Sequence, residues 1–362
     1  MKRITVKTII MMLVLFSLLV ITSGCDDPPG DGKISVVCTV FPQYDWTAQI
    51  LGEQAENINL TLLLKNKIDL HSYQPTVADM AKISRCDIFI YVGGESDGWV
   101  EKALKKAKNK NMIVINLLDV LGDNAKIEEP VEGAKEEEEP LDYSVLSKKD
   151  LKNLCKERKI KYSIFAAKKT LIALLEEADE EDEKEYDEHV WLSLKNAAIF
   201  CDAIAEALSS LDADNAEEYQ SNLAAYKTQL AALYEEFQAM ADEASVKTLL
   251  FGDRFPFCYL VHDYGFDYYA AFSGCSANAD ASPSTILFLR DKVDELELKN
   301  IMVTESSDKK TAEAIRNHSK EKNQKILVLN AMQSVTINDV NDGTTYLSIM
   351  EYNLNVLKEA SK

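Results

Sequence analysis

The sequence predicts an α/β protein of two lobes with parallel sheets, joined by a long helix. Three observations predict it. Short apolar runs alternate with amphipathic helical stretches up to about residue 125, and the same alternation returns after residue 246. Between them, residues 192–245 keep a helical spacing of apolar positions with few breakers. Strands that alternate with helices return to one sheet through crossovers, which makes the pairing parallel. The chain has 362 residues, enough for two lobes with proper cores.

In the first lobe, residues 34–40 (ISVVCTV) read as a buried strand, followed by a turn at Phe41-Pro42 and a helix over 45–54. Strands follow at 58–64, 88–92 and 112–117, with helices at 79–84 and 100–108. In the long helical region, Asp212 to Asn215 marks a break, and the stretch near 215–244 is long enough to run between lobes. The second lobe reads as strands at 248–251, 266–271, 300–304 and 325–329. Its helices fall at 256–263, 284–294 and 309–318, and a closing helix starts at Thr345.

The N-terminus carries an export signal. Lys2, Arg3 and Lys7 precede an apolar run over 9–20, too short for a membrane span but the length of a signal-peptide core. Thr22-Ser23-Gly24-Cys25 follows and resembles a bacterial lipobox, which makes Cys25 the lipidated residue and the mature chain extracytoplasmic and membrane-anchored. An ordinary cleaved signal peptide is the alternative. The expected division is 1–24 signal peptide, 25–33 flexible tether, 34–125 N-terminal lobe and 126–188 insertion. Residues 189–245 then carry the interlobe helix, and 246–362 the C-terminal lobe. Within the insertion, about 144–178 resembles the helix-extended-helix modules related to SAP domains, and an acidic run follows.

A formal net charge of -20 argues against nucleic-acid binding, which requires basic surfaces. The six cysteines beyond Cys25 include Cys258 and Cys275, the first candidate disulfide in an exported chain; buried thiols are the alternative. No H-E-x-x-H and no phosphate loop is present, so nothing points to a secreted metalloenzyme.

Only four histidines occur, and two sit in notable contexts: His71 in DLHSYQPT and His189 in DEHVWLSLKNA. These segments, with FPQYDW (41–46), CDIFIYVGGESDGWVEKAL and YLVHDYGFDYYAAFSG, resemble the metal-binding solute-binding proteins of zinc and manganese ABC transporters, the cluster A-I (cluster 9) family. The resemblance implies two lobes on a rigid long helix with a metal between them, and it carries a ligand role onto His71 and His189. It also implies two further ligands from the C-terminal lobe. Asp253 is the nearest competent group for the third, and Asp308, with Glu305 as alternative, for the fourth. Asp69 and Asp187 stand two residues before the histidines, as acceptors for the imidazole N–H or as helix caps. Nitrogen and carboxylate ligands suit Zn²⁺ first and Mn²⁺ as the alternative. The implied function is capture of that ion and its delivery to the membrane permease of an ABC transporter by a monomer without enzymatic activity. An adhesin-like surface protein of the same fold is the second reading.

Overall fold

A computed structural model describes residues 32–65, 67–128, 131, 142–158, 160–163, 165–182, 185–274 and 281–362. The export segment, Cys25 and Cys275 lie outside the described residues, and so does the expected Cys258–Cys275 pairing. Contacts divide the chain into Met1–Ile34 and Ser35–Lys362.

The first sheet is made of β1 (Ser35–Cys38), β2 (Asn59–Leu62), β3 (Ile88–Tyr91) and β4 (Ile113–Asn116), parallel and in the order β2-β1-β3-β4. Helices α1 (Phe41–Leu51), α2 (Val77–Ile83), α3 (Val100–Lys105) and α4 (Leu117–Leu121) connect or follow these strands. The second sheet repeats the plan with β5 (Thr248–Phe255), β6 (Asp267–Ser273), β7 (Asn300–Thr304) and β8 (Lys325–Leu329) in the order β6-β5-β7-β8. The intervening helices are α5 (Lys148–Glu157), α6 (Lys168–Asp182), α7 (Leu194–Leu211) and α8 (Ala216–Glu243). The second lobe adds α9 (Cys258–Asp263), α10 (Pro283–Glu295), α11 (Lys310–His318), α12 (Ile337–Asn341) and α13 (Tyr346–Ala360). In each lobe the chain reverses direction across the sheet between its first and third strands. Loops at the carboxyl ends of the strands there form a crevice suited to ligands.

Three differences from the sequence reading have local causes. Phe41-Pro42 is the first turn of α1, not a turn before it. Pro42 lacks an N–H that has no helical acceptor at that position anyway. The buried side chain of Gln43 accepts the Thr39 N–H at 2.9 Å and the Val40 N–H at 3.2 Å, which closes the strand-to-helix turn. Strand β5 runs on to Phe255 through an irregularity between Phe251 and Arg254. Gly252 permits this, because a Cβ there would lie 2.6 Å from the Ala312 Cα in α11. The short helices α4 and α12 have too few residues to show a periodicity in sequence.

Helix α8, 28 residues and about 42 Å long, lies against both lobes. Its Asn222 donates to the Ile50 carbonyl at 3.0 Å in the N-terminal lobe. Just beyond its far end, the Ser245 N–H bonds the Ser361 carbonyl at 2.9 Å in the C-terminal lobe. The break before it is held by Asp212, which accepts from Asn215 at 2.8 Å and from the Tyr219 hydroxyl at 2.7 Å. A buried aromatic cluster joins the lobes: Trp46 packs on Phe200 and Tyr346, and the Tyr346 hydroxyl donates to the Trp191 carbonyl at 2.8 Å.

The insertion has its own small core, in which Leu151, Cys155, Leu171 and Leu175 are fully buried between α5 and α6. Its two ends meet in a short antiparallel stem. Ile127 pairs with Tyr186, the Glu128 N–H donates to the Glu185 carbonyl at 2.7 Å, and the Asp187 N–H donates to the Lys126 carbonyl at 2.9 Å. Cys38, Cys86, Cys155 and Cys201 are buried reduced thiols, and burial pushes Cys38 and Cys86 up to about 12, which leaves them unreactive.

Candidate metal centre

His71 sits on a single 3₁₀ turn, Leu70–Ser72, in the loop after β2. Asp69 caps that turn, accepting the His71 backbone N–H at 3.0 Å through Oδ1. Its Oδ2 pairs with Arg254 of the opposite lobe at 2.7 Å. Of the two roles open to Asp69 in the sequence, it fills the cap; it does not hold the imidazole. That task falls to residues far away in sequence. His71 Nδ1 lies 2.6 Å from the Ser96 hydroxyl and 3.5 Å from Glu188 Oε2. Glu188 Oε1 in turn accepts the Ser96 N–H at 2.8 Å. Gly94 makes room for that carboxylate: with φ +78° it has the backbone that favours glycine, and a Cβ there would fall 2.3 Å from Glu188 Oε1.

His189 is wholly buried and follows directly on the insertion's stem. Asp187 Oδ1 accepts both the His189 backbone N–H at 2.7 Å and the ring Nδ1–H at 3.0 Å. A carboxylate at Nδ1 sets the tautomer and leaves the lone pair on Nε2. That lone pair faces the Gln333 amide nitrogen at 2.6 Å. The two imidazoles stand with ring centroids 5.5 Å apart. Of the adjacent acids, Asp187 thus holds His189 directly, while Glu188 stands near His71 and holds Ser96, whose hydroxyl meets the His71 Nδ1.

His71 Nε2 and Glu188 Oε2 are buried and make no hydrogen bond. A buried polar atom without a partner costs stability, so such atoms mark sites where a ligand belongs. Burial first, and then the neighbouring His189, lowers the His71 pKa to about 4. The ring is thus neutral and able to ligate at physiological pH. Burial raises Glu188 to about 7. A neutral His71 imidazole beside His189, with a buried carboxyl near it, offers donors suited to a divalent cation.

The C-terminal-lobe acids expected as ligands make other contacts. Asp253 Oδ2 accepts the Thr304 N–H at 3.0 Å and its hydroxyl at 2.8 Å, while Oδ1 accepts the Arg254 N–H at 2.9 Å. It ties β5 to β7. Asp308 is exposed, paired with Lys310 at 2.5 Å. Glu305 clasps the loop after β8, accepting from the N–H groups of Ala331 at 2.8 Å, Gln333 at 3.0 Å and Ser334 at 3.3 Å. Among the described residues, no group of three His, Cys, Asp or Glu side chains is arranged to hold an ion. Sequence reasoning missed Ser96, Glu188 and Gln333. The one available signal was position, since Ser96 and Gln333 each follow the carboxyl end of a sheet strand. A cavity of about 700 Å³ lined by Lys126, Val261, His262 and Tyr268 is a separate feature between the stem and the C-terminal lobe.

Two parallel-sheet lobes with a long helix against both define the architecture of a solute-binding protein, with a histidine pair at the interlobe crevice. Residues 36–360 match the family described as Zinc-uptake complex component A, periplasmic (ZnuA), and the chain belongs to that family. It is 28% identical over 355 residues to the "Zinc-binding lipoprotein AdcA" of Streptococcus pneumoniae, covering 98% of this chain and 61% of that protein. The chain thus spans under two thirds of the length of that curated relative. It is 25% identical to the "High-affinity zinc uptake system protein ZnuA" of Bacillus subtilis, covering 94% and 91% of the two chains. The crystal structure of the Zn(II)-bound ZnuA-like domain of Streptococcus pneumoniae AdcA superposes with a TM-score of 0.63 at 26% identity, covering 91% of this chain and 99% of that one.

Proposed function

We propose that this protein is an extracytoplasmic, lipid-anchored binding protein that captures a divalent transition metal between its lobes and delivers it to the permease of an ABC transporter, without catalysis. One observation carries the reading: His71 and His189, from loops far apart in sequence, stand side by side, with Asp187 on the Nδ1 of His189 and the Nε2 of His71 buried without a hydrogen-bond partner. This leaves Nε2 as the ligating atom of His189 and turns the unpartnered Nε2 of His71 to the same role. Zn²⁺ is the first candidate, supported by the zinc-binding relatives; Mn²⁺ is the alternative. The anchor rests on Cys25, and the monomeric state on both histidines coming from one chain.

The test is calorimetry and native mass spectrometry of the purified chain with Zn²⁺ and Mn²⁺. One equivalent of Zn²⁺ is expected, with a thermal stabilisation that follows from binding the folded state alone. His189→Ala is expected to lose most of the affinity. Unchanged affinity in that variant, or no binding of either metal, sinks the assignment.

A further inference from the structure

We infer that Gln333 is a release device at the metal site: its amide N–H caps the Nε2 lone pair of His189, so that ion and amide compete for one pair of electrons. The inference rests on the proposed metal capture and concerns how the ion leaves.

The geometry is specific. Asp187 holds the proton of His189 on Nδ1, so Nε2 is an acceptor. The group at 2.6 Å from it is the Gln333 amide nitrogen, a donor. A lone pair used in a hydrogen bond is not available to a cation, so loading the ion requires the amide to withdraw. Its return favours unloading.

The amide is also held ready. Met332 has φ +64° and its N–H bonds Asn330 Oδ1 at 2.8 Å, which folds the loop tightly. Glu305 clamps the N–H groups on either side of Met332, those of Ala331 and Gln333. The Trp191 indole N–H donates to the Ala331 carbonyl at 2.9 Å. Trp191 is two residues from His189, so capped nitrogen and capping loop are bolted to each other. Rotation of the Gln333 side chain would then free the nitrogen. This explains how a binding site between lobes tied by a long helix exchanges its ion without opening those lobes.

The test compares Gln333→Ala and Gln333→Met with the parent chain, using Zn²⁺ affinity by chelator competition and the release rate after rapid mixing with excess chelator. Met keeps the length of the side chain and removes the donor, which separates loss of the cap from loss of packing. Both variants are expected to bind roughly two- to ten-fold more tightly, the range spanned by one hydrogen bond, and to release more slowly. In the metal-free protein, the ¹⁵Nε2 resonance of His189 is expected to move toward that of an imidazole nitrogen without a hydrogen bond. Equal or weaker affinity in both variants overturns the inference. If His189→Ala leaves Zn²⁺ binding intact, the metal-capture reading itself fails. If His189→Ala weakens binding while Gln333→Ala and Gln333→Met do not tighten it, only the release device fails.

Discussion

The chemistry of the site is decided by single residues whose neighbours set their proton positions. Asp187 fixes the tautomer of His189 with one oxygen that serves both backbone and ring. Asp187→Ala is expected to weaken Zn²⁺ binding by roughly 10- to 100-fold, the usual cost of removing a group that orients a ligand; a chelator competition assay checks it. Asp308→Ala, at an exposed position paired only with Lys310, is expected to leave affinity unchanged. A second buried acid bears on stability instead. Asp45 is raised from 3.8 to about 6 by burial, while the Tyr346 N–H it accepts at 3.0 Å pulls it down. The folded state therefore holds the proton more tightly than the unfolded chain. The contribution is fully present below pH 3.8 and is lost as pH rises through about 6. Asp45→Asn keeps an acceptor for Tyr346 without the charge, and is expected to gain about 2–3 kcal/mol at pH 7.5 and almost nothing at pH 4. Urea unfolding at the two pH values measures the difference. Of the residue-level picture, His71 and His189 were legible because their flanking motifs are local. Glu188 and Gln333 were not, because Glu188 meets Ser96 across 92 residues and Gln333 meets His189 across 144.

At the level of elements, the loop after β8 and the stem of the insertion hold the site in shape. Glu305 serves three backbone N–H groups of that loop. Glu305→Ala strands them and is expected to cost about 1–3 kcal/mol in urea unfolding, with a larger effect on folding than Asp308→Ala. Among the described residues, the insertion is closed by the stem Ile127↔Tyr186 and carries its own core. Replacing residues 129–184 by a short glycine-serine turn is expected to leave Zn²⁺ affinity within two-fold of the parent. A substantial loss would show that the module supports the site through more than its stem. The strand and helix pattern was read in sequence for most elements because each long one has its own period. The start of α1 and the extension of β5 were not, since Gln43 and Gly252 act through contacts that no period reveals.

The whole molecule couples two similar sheets through α8, the Trp46–Phe200–Tyr346 cluster and the Asp69–Arg254 ion pair across the crevice. Such ties oppose a wide hinge motion, so loading is expected to change side chains and loops only. Small-angle scattering of metal-free and Zn²⁺-loaded protein is expected to give the same radius of gyration, and a large decrease on loading would show that the lobes close. The sequence by itself determined the two alternations of strand and helix, the long helix between them and the two histidine motifs. Each is written in contiguous residues, through hydropathy, period or a local cap. Only the tertiary structure decided which acid serves which imidazole, that Asp253, Glu305 and Asp308 are occupied elsewhere, and that Gln333 stands at His189. These are matters of side chains brought within hydrogen-bond distance across the fold, and distance in space is not encoded in spacing along the chain.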